Sequence, residues 1–125
     1  MKIIIDENSP RPIYEQIMFG FIQMIAFGDY SDDEKLPSVR DISVFLKVNP
    51  NTVTRAFFYL SNEKIIYLKR GIGNFVSPGA MEDCKQRIKS RVEENISREL
   101  ELLERAGFNK TEIYNLLNNI TGRAK

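Results

Sequence analysis

A chain of 125 residues, 42% apolar and 28% charged, has the make-up of a globular protein with room for one ordinary domain and a helical appendage. It has no histidine and one cysteine, Cys84, so the commonest general base, the commonest metal ligand and any internal disulfide are removed together. An enzyme, a metal site and a cofactor are therefore not expected. No window nears the roughly 18 consecutive apolar residues that a spanning helix needs, and the N-terminus meets Asp6 too early for a secretory signal. No membrane association and a cytoplasmic location follow as expectations.

The net charge of +1 hides an uneven distribution. Residues 1–34 carry two bases against seven acids, residues 35–77 seven bases against two acids, and residues 78–125 nine against eight. A basic block inside a near-neutral chain is what a nucleic-acid face looks like, although a solvated surface gives the same count.

Ile3 to Ile5 is β-prone and reads as a possible short strand. Ser9-Pro10-Arg11-Pro12 breaks it and starts a first helix, with Pro12 at the first helical position. Ile13, Ile17, Phe21 and Met24 recur at helical spacing, widened by Tyr14, Met18 and Ile25, so this helix is a core element. Gly28 ends it in a left-handed conformation. After an acidic loop, Ser38 with Asp41 resembles a capping box and opens a short second helix buried through Ile42, Phe45 and Leu46. Asn49-Pro50 ends that helix near Lys47 and opens a third, Asn49 as cap and Pro50 at the first turn. Val53, Ala56, Phe57 and Leu60 fall within a narrow arc at about 100° per residue. Asn51 and Arg55 lie opposite, flanked by Thr52, Thr54 and Tyr59. Phe58 also falls on that polar side, where it contacts either a neighbouring element or thymine methyls, core-like packing being the preferred reading.

Ile65–Leu68 and Asn74–Val76 are β-prone runs around Lys69-Arg70-Gly71-Ile72-Gly73, a hairpin with a basic tip. Ser77-Pro78-Gly79 marks the expected boundary between a winged helix-turn-helix domain (1–77) and a two-helix segment (78–125). In the latter, Cys84, Ile88, Val92, Ile96, Leu100 and Leu103 form a stripe on one helix closed by Gly107. Asn109 with Glu112 caps a last helix lined by Ile113, Leu116, Leu117 and Ile120. Neither helix can bury its stripe alone. They pack either on the first domain or, the preferred reading, on the same helices of a second chain, giving a homodimer.

The fold class is thus mainly α with a small β-hairpin. Helix, helix, a turn of about four residues, helix and a glycine-tipped hairpin is the order of a DNA-reading module, in which the second helix of the pair enters the major groove. Asparagine can bond adenine twice, arginine can grip guanine twice, and threonine can reach phosphate or a thymine methyl. Lys69 and Arg70, beside Gly71 and Gly73, would follow the backbone or probe the adjacent minor groove, or else be solvated turn charges.

The runs Pro12-Ile13-Tyr14-Glu15-Gln16-Ile17, Leu36-Pro37-Ser38-Val39-Arg40, Val48-Asn49-Pro50-Asn51-Thr52-Val53 and Gly71-Ile72-Gly73-Asn74-Phe75-Val76 resemble, in order, the signatures of the GntR family of bacterial regulators. The short tail is similar to that of its YtrA-like branch. The resemblance implies a transcriptional regulator, a repressor in the main reading, that binds a palindromic double-stranded DNA operator as a homodimer. It also implies that Arg40 contacts phosphate and base, the alternative being an ion pair with Asp41 or Glu15. The DNA-contacting set is then Ser38, Arg40, Asn49, Asn51, Thr52, Thr54, Arg55, Lys69, Arg70, Gly71 and Gly73. One departure stands at Lys64, where the family pattern has glycine. A lysine there costs roughly 1 kcal/mol if the position is left-handed, or the turn into the wing differs. Two other functions remain open: a winged-helix protein-interaction module, and a sensor of an unknown small-molecule effector bound at a domain or dimer interface.

Overall fold

A computed structural model describes residues 2–123. They form α1 (Ile13–Ala26), α2 (Val39–Leu46), α3 (Pro50–Asn62), a hairpin of β1 (Ile66–Lys69) and β2 (Gly73–Val76), then α4 (Ala80–Arg105) and α5 (Lys110–Arg123). The chain divides into two compact units, one ending at Ile88 and one beginning at Lys89. This is the mainly helical, hairpin-bearing architecture expected of a winged helix-turn-helix with a helical tail.

In the first unit, α1 is the central core helix. Ile17, Phe21 and Ile25 are wholly buried and Met24 nearly so, against α3, whose Val53, Ala56, Phe57 and Leu60 supply the facing surface. Phe21 meets Phe57 edge to face at 5.5 Å, the geometry that aromatic quadrupoles favour. Gly28 ends α1 at φ +86°. Its N–H donates to the Ile25 carbonyl and that of Asp29 to the Met24 carbonyl, the paired bonds of a Schellman stop. Residues 3–5 form no strand. Ile3 instead packs on α1 over Gly20, so helix packing and not a strand ladder holds this segment. Gln16 fixes that arm by accepting from the Asp6 N–H and donating to the Asp6 and Arg11 carbonyls.

Ser38 caps α2 by accepting from the Asp41 N–H at 3.0 Å. At about 100° per residue, Val39, Ile42, Ser43 and Leu46 span the inward arc of α2. Phe45 falls outside that arc and is 60% exposed, contrary to its expected burial. Lys47 at φ +56° ends the helix, so the turn to α3 is Lys47-Val48-Asn49, one residue tighter than expected. Asn49 caps α3, its Oδ1 accepting from the Asn51 N–H at 2.8 Å.

β1 and β2 pair antiparallel from Ile66–Val76 to Lys69–Gly73. Lys35 adds an isolated bridge to Phe75, and the Leu36 N–H donates to the Asn74 carbonyl, so the wing is laced to the segment leading into α2. Lys64 stands at φ +61°: the turn into the wing keeps the left-handed geometry although lysine occupies it.

The Ser77-Pro78-Gly79 break lies inside the first unit. The Ser77 N–H donates to the Ile65 carbonyl and that of Gly79 to Asp32, while Ala80 and Cys84 are buried in the same core. Cys84 is therefore not available as a dimerisation residue, and Ile88 packs partly against that core too. The reason is spacing: the first turns of α4, as far as Ile88, belong to the winged unit and pack on its core. In the second unit, Gly107 at φ +94° separates α4 from α5, and Asn109 and Glu112 exchange N–H donations in the predicted capping box. No residue of α5 is buried.

Candidate nucleic-acid interface

With Val53, Ala56, Phe57 and Leu60 facing inward, helical geometry turns Asn51, Arg55, Phe58 and Asn62 outward. Asn51, Thr54 and Arg55 are exposed and Thr52 is half-buried. Asn49 is at the helix start, but its carbonyl oxygen is spent on the cap. The bidentate grip on adenine needs both amide atoms, so Asn49 retains only its amino group for DNA while Asn51 keeps both. Ser38 is likewise committed as an acceptor, leaving its hydroxyl proton to donate to a phosphate.

Arg40 is exposed on the first turn of α2. Among the described residues no ion pair joins it to Asp41 or Glu15, the alternative considered for it. Arg55 lies with its guanidinium carbon 4.0 Å from the centroid of the Tyr14 ring and 5.9 Å from that of Tyr59. The two rings are themselves stacked at 5.4 Å. Phe58 is 59% exposed, touching Tyr59 edge to face. The core-like packing expected for it is not what α3 adopts, because its position is on the outward arc.

The wing is built from the hairpin. Gly71 at φ +76° makes its tip, beside exposed Arg70. Lys69 folds its ammonium over Phe75, 4.7 Å from the ring centroid, and Phe75 stacks on Tyr67. The Tyr67 hydroxyl donates to Asp33 at 2.6 Å, and that bond to a carboxylate raises the phenol's pKa above its ordinary value. Gly73 admits the Lys35 stem: a Cβ there would stand 3.0 Å from Lys35 Cε. An open cleft of about 470 Å³ between α2 and the wing is lined by Lys35, Ser38, Asp41 and Gly73, among others.

The candidate site thus draws on the α2 start, the outward face of α3 and the wing of one unit, with Arg40, Arg55, Lys69 and Arg70 exposed. Tyr14 and Lys35 were not singled out by sequence as site residues. Tyr14 reads there as part of the α1 stripe, and only the α1–α3 packing brings it beneath Arg55. Lys35 stands one residue outside the Leu36–Arg40 motif, and only the Phe75 bridge and the glycine at 73 reveal its neighbour.

A winged helix-turn-helix with such a face defines a DNA-binding transcriptional regulator. The chain matches the bacterial regulatory proteins of the gntR family over residues 13–76, and it belongs to that family. It is 30% identical over 123 residues to the HTH-type transcriptional repressor YtrA of Bacillus subtilis, covering 98% of this chain and 95% of that protein. Its fold is similar to a GntR family transcriptional regulator from Listeria monocytogenes, with a TM-score of 0.79 and 32% identity over 92% of this chain and 98% of the other. A transcriptional regulator from Oenococcus oeni is similar as well, with a TM-score of 0.79 and 27% identity over 94% and 97% of the two chains.

Proposed function

We propose that this protein is a repressor of the short-tailed, YtrA-like kind that binds a palindromic operator as a homodimer. The observation that carries the reading is the outward face of α3, where Asn51, Thr54 and Arg55 stand exposed opposite a fully packed core face. Major-groove readout requires this: amide, hydroxyl and guanidinium groups on a helix whose other side is fixed. Arg40 and the wing residues Arg70 and Gly71 supply phosphate contacts on either side, which set register without reading sequence.

Two copies are assigned because a palindromic operator offers two half-sites, one for each recognition helix. The tail is assigned to pairing. Val92, Ile96, Leu116, Leu117 and Ile120 are exposed apolar side chains on its helices, and Leu100, Leu103 and Ile113 are only half-buried. A second copy covering these residues removes that apolar surface from water. The nearly full-length similarity to a named repressor supports the sign of regulation.

The test is a fluorescence-anisotropy titration of the full chain against labelled fragments of its own upstream region, with random duplex as competitor. One fragment bound tightly, containing an inverted repeat and occupied by two chains, is the expected result. Equal weak binding to every fragment, the signature of phosphate attraction alone, overturns it.

A further inference from the structure

The Arg55 side chain does not stand free on the face of α3. Its guanidinium lies 4.0 Å from the ring centroid of Tyr14, a residue of the first turn of α1, and Tyr59, one turn further along α3, stacks on the same tyrosine. Tyr14 is half-buried and packs against the core, so this platform is anchored in the fold. Among the described residues the guanidinium has no hydrogen-bond or ion-pair partner.

From this arrangement, and resting on the DNA-reading function proposed above, we infer that Tyr14 is a positioning residue that determines base specificity through Arg55. The guanidinium presents two different surfaces. Its N–H donors all lie in the molecular plane, and its flat face carries none. Stacking on a tyrosine ring occupies the face through the cation–π attraction. The donor edge stays open for the two parallel hydrogen bonds by which arginine grips the O6 and N7 of guanine. A long arginine free in solvent samples many rotamers and reaches phosphates as readily as base edges. Held against Tyr14 and Tyr59, it loses part of that freedom before DNA arrives, so less is lost on binding. The ring therefore contributes to discrimination between bases more than to attraction for the backbone.

Separation of these two effects is the test. A randomised duplex library is first selected with the wild-type chain, and the enriched sequence is labelled. Every base of one half-site is then replaced in turn, and binding is measured by anisotropy for wild type, Arg55→Ala, Tyr14→Phe, Tyr14→Leu, Tyr14→Met and the double variant Tyr14→Leu/Arg55→Ala. Urea-unfolding midpoints are recorded for each, the leucine and methionine variants offering two ways to fill the ring's volume. Arg55→Ala is expected to erase preference at one position. The ringless variants weaken preference at that same position about fivefold and leave the others intact. Tyr14→Phe retains it, and the double variant matches Arg55→Ala. Uniform weakening at all positions, an unaltered preference, tighter binding, or losses that add in the double variant overturn the inference alone. So does an Arg55→Ala variant with every preference intact. A library from which wild type enriches nothing overturns the DNA-reading function and the inference with it.

Discussion

Ile3 lies across Gly20 so closely that a Cβ on the glycine would stand 2.6 Å from Ile3 Cγ1. Gly20 sits in the middle of α1, where glycine costs about 0.5–1 kcal/mol relative to alanine. The helix accepts that cost to seat the N-terminal arm, since Ile3 is 7% exposed. Gly20→Ala is expected to lower stability by about 1 kcal/mol, because the added methyl overpacks the contact. In an Ile3→Ala background the same change is expected to raise stability by about 0.5 kcal/mol. Urea unfolding of the four proteins in this cycle checks the reversal of sign, and two effects of the same sign would contradict it.

Lys64 occupies a left-handed position at φ +61° between α3 and the wing. A side chain in that conformation costs about 1 kcal/mol, while glycine gives part of the gain back through the entropy of the unfolded chain. Lys64→Gly is expected to stabilise the protein by about 0.5 kcal/mol, and Lys64→Val to destabilise it by about 1 kcal/mol or more, since β-branched residues fit this region worst. Thermal unfolding midpoints of the two variants should move in opposite directions.

The sequence made most of the framework legible because the signals were local. The Gly28 stop, the Asn49-Pro50 start of α3, the Asn109–Glu112 cap and the four-residue core arc of α3 each depend on neighbours within a turn or two. Its errors arose where burial depends on what another element offers. Phe45 and Phe58 are large and apolar, and that character suggests burial even though Phe58 falls on the polar arc of α3; both sit at angles that leave them exposed. Cys84 continues the tail's periodic stripe, and only the packing of the first turns of α4 assigns it to the winged domain. The candidate site was legible as an outward polar face. The Tyr14–Arg55 contact joins residues 41 apart in sequence, and no periodicity carries it.

Cys84 is wholly buried, and desolvation pushes its thiol up from an ordinary 9.0 to about 11. Because the folded pKa is raised, the neutral thiol's contribution to stability is intact below pH 9 and is lost as pH rises towards 11. The native protein is therefore expected to resist a disulfide-exchange thiol reagent at pH 8, with labelling becoming rapid in denaturing urea. Rapid labelling of the native chain would contradict the burial.

Pairing through the tail predicts a separable defect. Leu116→Asp combined with Ile120→Asp places two charges on the exposed apolar side of α5, where a second chain is proposed to sit. Sedimentation velocity is expected to give a dimer for wild type and a monomer for the variant, with helical content retained and operator affinity lowered at least tenfold, since two linked half-sites become one. A variant that remains dimeric would move the interface elsewhere.

The outward face of α3 is proposed to enter the major groove and read bases there. Methylation of guanine N7, an atom exposed only in that groove, tests it most directly on the bound operator. Wild type is expected to protect guanines in two patches about one helical turn apart, and Arg55→Ala to unprotect the same guanine in each half-site while the rest of the footprint persists at saturating protein. Guanines that remain open throughout a fully bound operator would contradict this proposal, whereas a footprint unchanged by Arg55→Ala would remove Arg55 alone from the readout.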